Sequence, residues 1–136
     1  VDLLETAGSA GRLIAPARRL IEGVPALLAG HEARPSLLHG DLWGGNWMTA
    51  SDGVPVLIDP AVYLGDREAD LAMTRLFGGF GADFYAAYET DWPLPDGAGL
   101  RRDLYNLYHV LNHVNLFGGG YAGQAERMMA SLLAEC

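Results

Sequence analysis

Between residues 37 and 61 the chain reads LLHGDLWGGNWMTASDGVPVLIDPA, two short strand-like runs joined by an Asp-Gly turn. No other stretch constrains the fold as much, because Asp-Gly between such runs is a strong local signal for a β-hairpin. It also poses a problem. Asp41, Asn46 and Asp59 stand at the edges of apolar runs, where an unpaired charge is costly to bury. With ASDG as the loop and Thr49 opposite Val54, Asn46 falls opposite Leu57 and diagonal to Asp59, and alternation sends Asn46 and Asp59 to one face. Diagonal neighbours lie roughly 7 to 8 Å apart, a span that a carboxylate and an amide can bridge by sharing a divalent cation. Asp41, on the loop entering the hairpin, points into the same space. Gly44 and Gly45 beside it allow tight or left-handed turns. Asn and Asp oxygens suit magnesium, which takes one or two protein carboxylates and completes its shell with water and phosphate.

Composition narrows the partners. The chain has 136 residues, half of them hydrophobic, enough for one ordinary domain with a core. A formal net charge of -8 disfavours nucleic acid and anionic membranes, both of which attract basic surfaces. All nine basic residues are arginine, so no catalytic lysine is present. The single cysteine, Cys136, forms no internal disulfide, which agrees with a reducing compartment. No apolar run approaches the length of a membrane span, and VDLLETAGSAGRL lacks the basic start and apolar block of a leader, so a cytoplasmic location is expected. The chain lacks an initiator methionine and opens mid-pattern, which suggests a fragment or a processed product.

Along the chain, PARRLIEGVPALLAG carries Leu20, Ile21, Val24, Leu27 and Leu28 at helical spacing and closes on Gly30, with a kink or break expected at Pro25. PSLLH reads as a strand, and NWMT and VPVLID as the hairpin. From residue 66 the texture is helical, with room for four helices between glycine-rich interruptions. The clearest runs from about Leu100 to Leu116, with Leu100, Leu104, Leu107, Leu111 and Val114 in one apolar stripe. The aromatics Phe77, Phe80, Phe84, Tyr85 and Tyr88 recur at helical spacing and are expected in the core. His109 and His113 stand four apart, as paired zinc ligands do, but without the intervening glutamate, so they are read as core or pocket lining. Asp66, Arg67 and Glu68 are read as the charged first turn of a helix. With no internal repeat or linker, residues 1–136 are expected to form a single α+β domain, mostly helical, with a short β-hairpin bearing the candidate metal-binding residues.

HGDLWGGN followed by IDPA resembles the catalytic loop and metal-binding aspartate of the protein-kinase-like fold, a His-x-Asp, four residues, an Asn and a later Asp. Together with GDREADLAM, LFGGF and LYHVLNHVNLFGGGY, it resembles the fructosamine kinase (ketosamine 3-kinase) family, a relative of aminoglycoside phosphotransferases and choline kinases. The resemblance covers about residue 16 to the C-terminus and implies the helical C-terminal lobe of that fold. By position it implies that Asp41 is the catalytic base and that Asn46 and Asp59 hold magnesium on the phosphates of ATP. It further implies that His39 supports the loop, that Asp70 anchors the loop backbone from a helix N-terminus, and that Trp43 stands on the substrate side. The implied reaction is ATP-dependent phosphorylation of the 3-hydroxyl of ketosamines, free or on protein lysines, which leads to deglycation. Such a kinase also needs a strand-rich N-terminal lobe with a phosphate-binding lysine. That lobe is absent from this chain, so the isolated polypeptide is expected to have little or no activity and to depend on a missing N-terminal lobe.

Other readings stand beside this one. Taken singly, each of Asp41, Asn46 and Asp59 is an ordinary turn or capping residue. An aminoglycoside-type or choline-type phosphotransferase, a truncated non-catalytic lobe, and a metal-dependent phosphohydrolase using His39 and Asp41 remain alternatives.

Overall fold

A computed structural model describes residues 11–136, so the stretch VDLLETAGSA lies outside the described residues. The described residues divide into two compact units, 11–31 with 103–136 and 32–102.

In the first unit, helix α1 (Gly11–Leu27) runs through both Pro16 and Pro25 without interruption. The break expected at Pro25 does not occur. Proline there removes the bond to the carbonyl of Ile21, but Ile21 is 59% exposed and Pro25 is also exposed, so water can replace the lost donor. Leu13, Ala17, Leu20 and Leu27 form the buried stripe of α1, which packs on the final helix, Ala122–Leu133, through Ala122, Ala125, Met129 and Leu132. A long helix, Ala98–Phe117, contributes Leu107, Val110 and Val114 to the buried set, whereas Leu100, Leu104 and Leu111 of the expected stripe are half-buried. His113 bonds through Nδ1 to the carbonyl of His109 at 2.8 Å, and its ring lies 5.1 Å from that of Tyr121.

The second unit nests one hairpin inside another ladder. Strand β1 (Pro35–Leu38) pairs antiparallel with β4 (Tyr63–Asp66), and between them in sequence β2 (Trp47–Thr49) pairs with β3 (Pro55–Leu57). The inner hairpin is one residue out of the expected register: Thr49 faces Pro55 and Trp47 faces Leu57. The turn chemistry explains the shift. Gly53 N donates to Ala50 O, Ala50 N donates to Val54 O, and the Asp52 side chain accepts from Val54 N at 3.1 Å, closing a three-residue loop with Gly53 at φ 85°. A Gly53→Ala substitution is expected to cost about 1 kcal/mol, because an L side chain is strained at that φ, and to lower the urea midpoint without changing the slope. An unchanged midpoint would mean that the loop has re-formed with another turn.

Strand β4 was not legible in the sequence. Leu64 is 72% exposed, so no burial pattern marks the segment, and its extended form rests on pairing with β1. Asp66 at its end caps helix α2 (Arg67–Leu76), its side chain accepting from Glu68 N at 3.0 Å. Helix α2 packs on β1 and β4 and buries Leu71, Ala72, Met73 and Thr74. Helix α3 (Ala82–Asp91) buries none of its residues, so the aromatics expected in the core do not form one. The guanidinium of Arg75 lies 3.6 Å from the centre of Tyr85, and Arg67 stacks on Tyr88 and Trp92. Phe80 and Phe84 instead line a hollow of about 340 Å³ with Trp47, Pro55 and Leu57.

Candidate functional site

The loop leaving β1 is held by the first turn of α2. His39 N and Gly40 N donate to the two carboxylate oxygens of Asp70, at 2.7 and 2.9 Å. Two N–H groups on one carboxylate fix both position and orientation of the loop. Gly40 takes φ 81°, and a Cβ there would run into the carbonyl of Ala61, whose own N–H donates to His39 O at 2.7 Å. Only glycine meets both demands.

His39 spans the loop and the hairpin. Asp41 N donates to its Nδ1 at 3.3 Å, which makes Nδ1 the acceptor and places the ring proton on Nε2, directed at Ile58 O at 2.8 Å. Ile58 N in turn donates to Asn46 O at 3.0 Å. One residue of the hairpin's return arm is therefore bonded to both His39 and Asn46.

Asn46 is buried, and its Nδ2 donates to both the backbone oxygen and the Oδ2 of Asp41, each at 2.8 Å. Both amide protons are used on Asp41. The amide oxygen is left as a hard acceptor with no hydrogen bond among the described residues. Asp59 follows Ile58 and is exposed, with no side-chain hydrogen bond or ion pair among the described residues. Its φ of 50° makes it the one non-glycine residue in the left-handed region among those described. An aspartate tolerates that region better than most side chains, and strained backbone of this kind clusters at functional sites.

The register shift changes the expected route to this arrangement. Asn46 faces Ile58, not Leu57, so simple alternation no longer sends Asn46 and Asp59 to the same face. The left-handed residue at position 59 ends the alternation. His39, Asp41, Asn46 and Asp70 are brought into one hydrogen-bonded assembly, with Asp59 joined to it through Ile58. The oxygen donors it offers, two carboxylates and an amide, suit a hard divalent cation such as magnesium and not a soft one.

The paired glycines lie in a tight turn, as expected, which Asn46 N closes on Trp43 O at 2.9 Å. Neither Gly44 nor Gly45 is left-handed. They are needed for space: a Cβ on Gly44 would lie 2.9 Å from the Cα of Gly79, and one on Gly45 would collide with the ring of Trp43. Trp43 is 40% exposed and meets Phe77 edge-on, with centroids 6.4 Å apart.

One support was invisible beforehand. Arg101 donates to both oxygens of Glu68 at 2.7 and 2.8 Å, and also to the carbonyls of Pro95 and Asp96. Both side chains are buried, at 6% and 4% exposure. Arg67 donates to the carbonyls of Trp92 and Pro93. Glu68 and Arg101 stand 33 residues apart, and Arg67 and Trp92 stand 25 apart, and no local signal in the sequence marks either pairing.

The family model described as fructosamine kinase matches residues 2–135. A probable ketoamine kinase of Vibrio vulnificus is 52% identical over 115 residues, covering 85% of this chain and 40% of its own length. The chloroplastic protein-ribulosamine 3-kinase of Oryza sativa subsp. indica is 50% identical over 108 residues, 79% of this chain and 31% of the rice protein. Among solved structures, one from Thermobifida fusca bearing a provisional fructosamine-3-kinase name superposes with a TM-score of 0.83 at 36% identity, covering 98% of this chain and 48% of that one. The chain thus spans about 40% of the length of the Vibrio relative.

Proposed function

Because this chain belongs to the fructosamine kinase family, we propose that it supplies the catalytic-loop and magnesium-binding half of an ATP-dependent ketosamine 3-kinase. The remaining half, with the lysine-bearing roof over ATP, would come from sequence outside these 136 residues. The substrates are fructosamine or ribulosamine adducts, free or on protein lysines, and the outcome is deglycation in the cytoplasm.

One observation carries the reading: Asn46 spends both amide protons on Asp41, which itself follows two residues pinned by Asp70. The loop is thereby organised before any ligand arrives. Phosphoryl transfer asks mainly for such positioning and for charge neutralisation. Asp41 keeps a second carboxylate oxygen to receive the proton of the attacking 3-hydroxyl. Asn46, through its amide oxygen, and Asp59, through its carboxylate, would hold magnesium. When bound, the cation neutralises charge on the ATP phosphates. His39 keeps the loop and the return arm of the hairpin at a set distance, and Trp43 offers an exposed ring face on the substrate side.

The test is a substrate comparison. The full-length polypeptide, with magnesium and ATP, is expected to phosphorylate a lysine-linked fructosamine or ribulosamine in preference to an aminoglycoside or choline, and the isolated 136-residue chain to show little or no turnover. Preferential phosphorylation of the aminoglycoside would replace this reading with its nearest rival. Robust turnover by the isolated chain would remove the claim that a second lobe is needed.

A further inference from the structure

The turn that carries Asn46 is tied from outside to the loop between α2 and α3, and the ties bracket Asn46 on both sides. After it, the indole Nε1 of Trp47 donates to Gly79 O at 3.2 Å. Before it, Gly44 lies against the backbone of Gly79, where a Cβ on Gly79 would come within 2.5 Å of the Gly44 Cα. Gly78 and Gly79 are both left-handed, at φ 74° and 97°, a conformation that L side chains rarely adopt. The Asn46 N–H closes the turn on Trp43 O at 2.9 Å, so a displacement of Gly44 or Trp47 is passed to Asn46 itself.

We propose that Trp47 and Gly79 are positioning residues for the reaction: the loop around Gly79 sets the position of the Trp43–Asn46 turn, and so sets where the Asn46 amide oxygen and the Asp41 carboxylate stand. The inference rests on the kinase reading for its kinetic consequence, but its geometric content is independent of it. Trp47 touches neither reacting atom and acts through Asn46. Hydrogen bonding by the indole, not the bulk of its ring, is the active feature. A ring without the N–H would still pack against Phe80, whose centroid is 6.1 Å away.

The decisive experiment is Trp47→Phe in the full-length polypeptide, with Phe84→Leu as a control that alters the same apolar hollow without removing the bond. Trp47→Phe is expected to lower kcat about tenfold and to raise the magnesium concentration needed for half-maximal rate, with ketosamine KM little changed, since small misplacements of catalytic groups are costly. Phe84→Leu is expected to keep the parent magnesium dependence. In parallel, the side-chain amide resonances of ¹⁵N-labelled asparagine, with Asn46 assigned through Asn46→Asp, are expected to shift at Asn46 in Trp47→Phe and not in Phe84→Leu. An unmoved Asn46 amide in Trp47→Phe overturns the proposal, as does an equal change in both variants. The amide readout needs no turnover. A shifted Asn46 amide in a protein inert toward ketosamines would leave the positioning claim standing and count against the kinase reading. Should Trp47→Phe fail to fold, Gly79→Ala reads the same resonance, and an unmoved Asn46 amide there overturns the proposal too.

Discussion

Asp41→Ala in the full-length polypeptide is expected to lower kcat by about a thousandfold while leaving ATP affinity close to that of the parent. A positioned general base contributes roughly 10² to 10⁴ in rate, and in the proposed reading the nucleotide is held by other groups. Alanine also removes one of the two acceptors of the buried Asn46 amide, so part of its effect is a disturbed Asn46, the residue proposed to hold magnesium. Asp41→Asn separates the two contributions. It keeps an oxygen that can accept from Asn46 but no longer takes a proton at neutral pH. If both variants lose turnover alike in single-turnover assays, proton acceptance is the role of Asp41. If Asp41→Asn retains most of the rate, Asp41 is a support for Asn46 and the base lies elsewhere. Unchanged turnover in both removes it from the mechanism.

The largest effect on stability is expected at Glu68. Its carboxylate takes two charge-assisted bonds from Arg101, with both side chains shielded from water. Glu68→Ala leaves the guanidinium with the carbonyls of Pro95 and Asp96 but without the neutralising charge. Removing one partner of a buried pair costs about 3 to 5 kcal/mol, much of it the penalty of the charge left behind. The carbonyls that remain place this case near the lower figure, a fall in Tm of roughly 10 °C for a chain of this size. Glu68→Leu combined with Arg101→Met should recover much of the loss, because an apolar pair of similar volume carries no desolvation cost. A Tm for Glu68→Ala near that of the parent would show that the pair adds little. Glu68 stands two residues before Asp70 in the first turn of α2, so the same substitution tests whether that turn must be rigid for Asp70 to hold the loop at His39 and Gly40.

The arrangement has one further physical consequence. Asp59 is both exposed and left-handed, whereas Asn46 is buried and bonded, so the two groups proposed to hold magnesium differ in freedom. Asn46 is preorganised by Asp41. Asp59 is tied to the loop only through its backbone neighbours, Ile58 before it and Ala61 after it, among the described residues, and its carboxylate is exposed.

Much of this protein was legible in local chemistry. The Asp-Gly turn between two strand-like runs marked the hairpin, the charged run at Asp66 to Glu68 marked the start of α2, and the apolar spacing after Leu100 marked the long helix. These signals are short-range: turn residues, caps and helical periodicity act between neighbours a few positions apart, so their meaning survives without tertiary context. The acidic balance and the lack of lysine likewise follow from composition alone.

Tertiary structure decided what depends on distant partners or on a single dihedral angle. A left-handed Gly53 shortened the loop to three residues and slid the hairpin by one, exchanging the residue opposite Asn46. Strand β4 exists through its pairing with β1, and Glu68 finds Arg101 from 33 residues away. Gly44 is glycine because the backbone of Gly79 occupies the space a Cβ would need, and nothing near Gly44 in the chain records that. The physical reason is common to the last three. Closing a long loop costs entropy that only the assembled fold repays, so such contacts are properties of the whole arrangement and not of the residues taken in order.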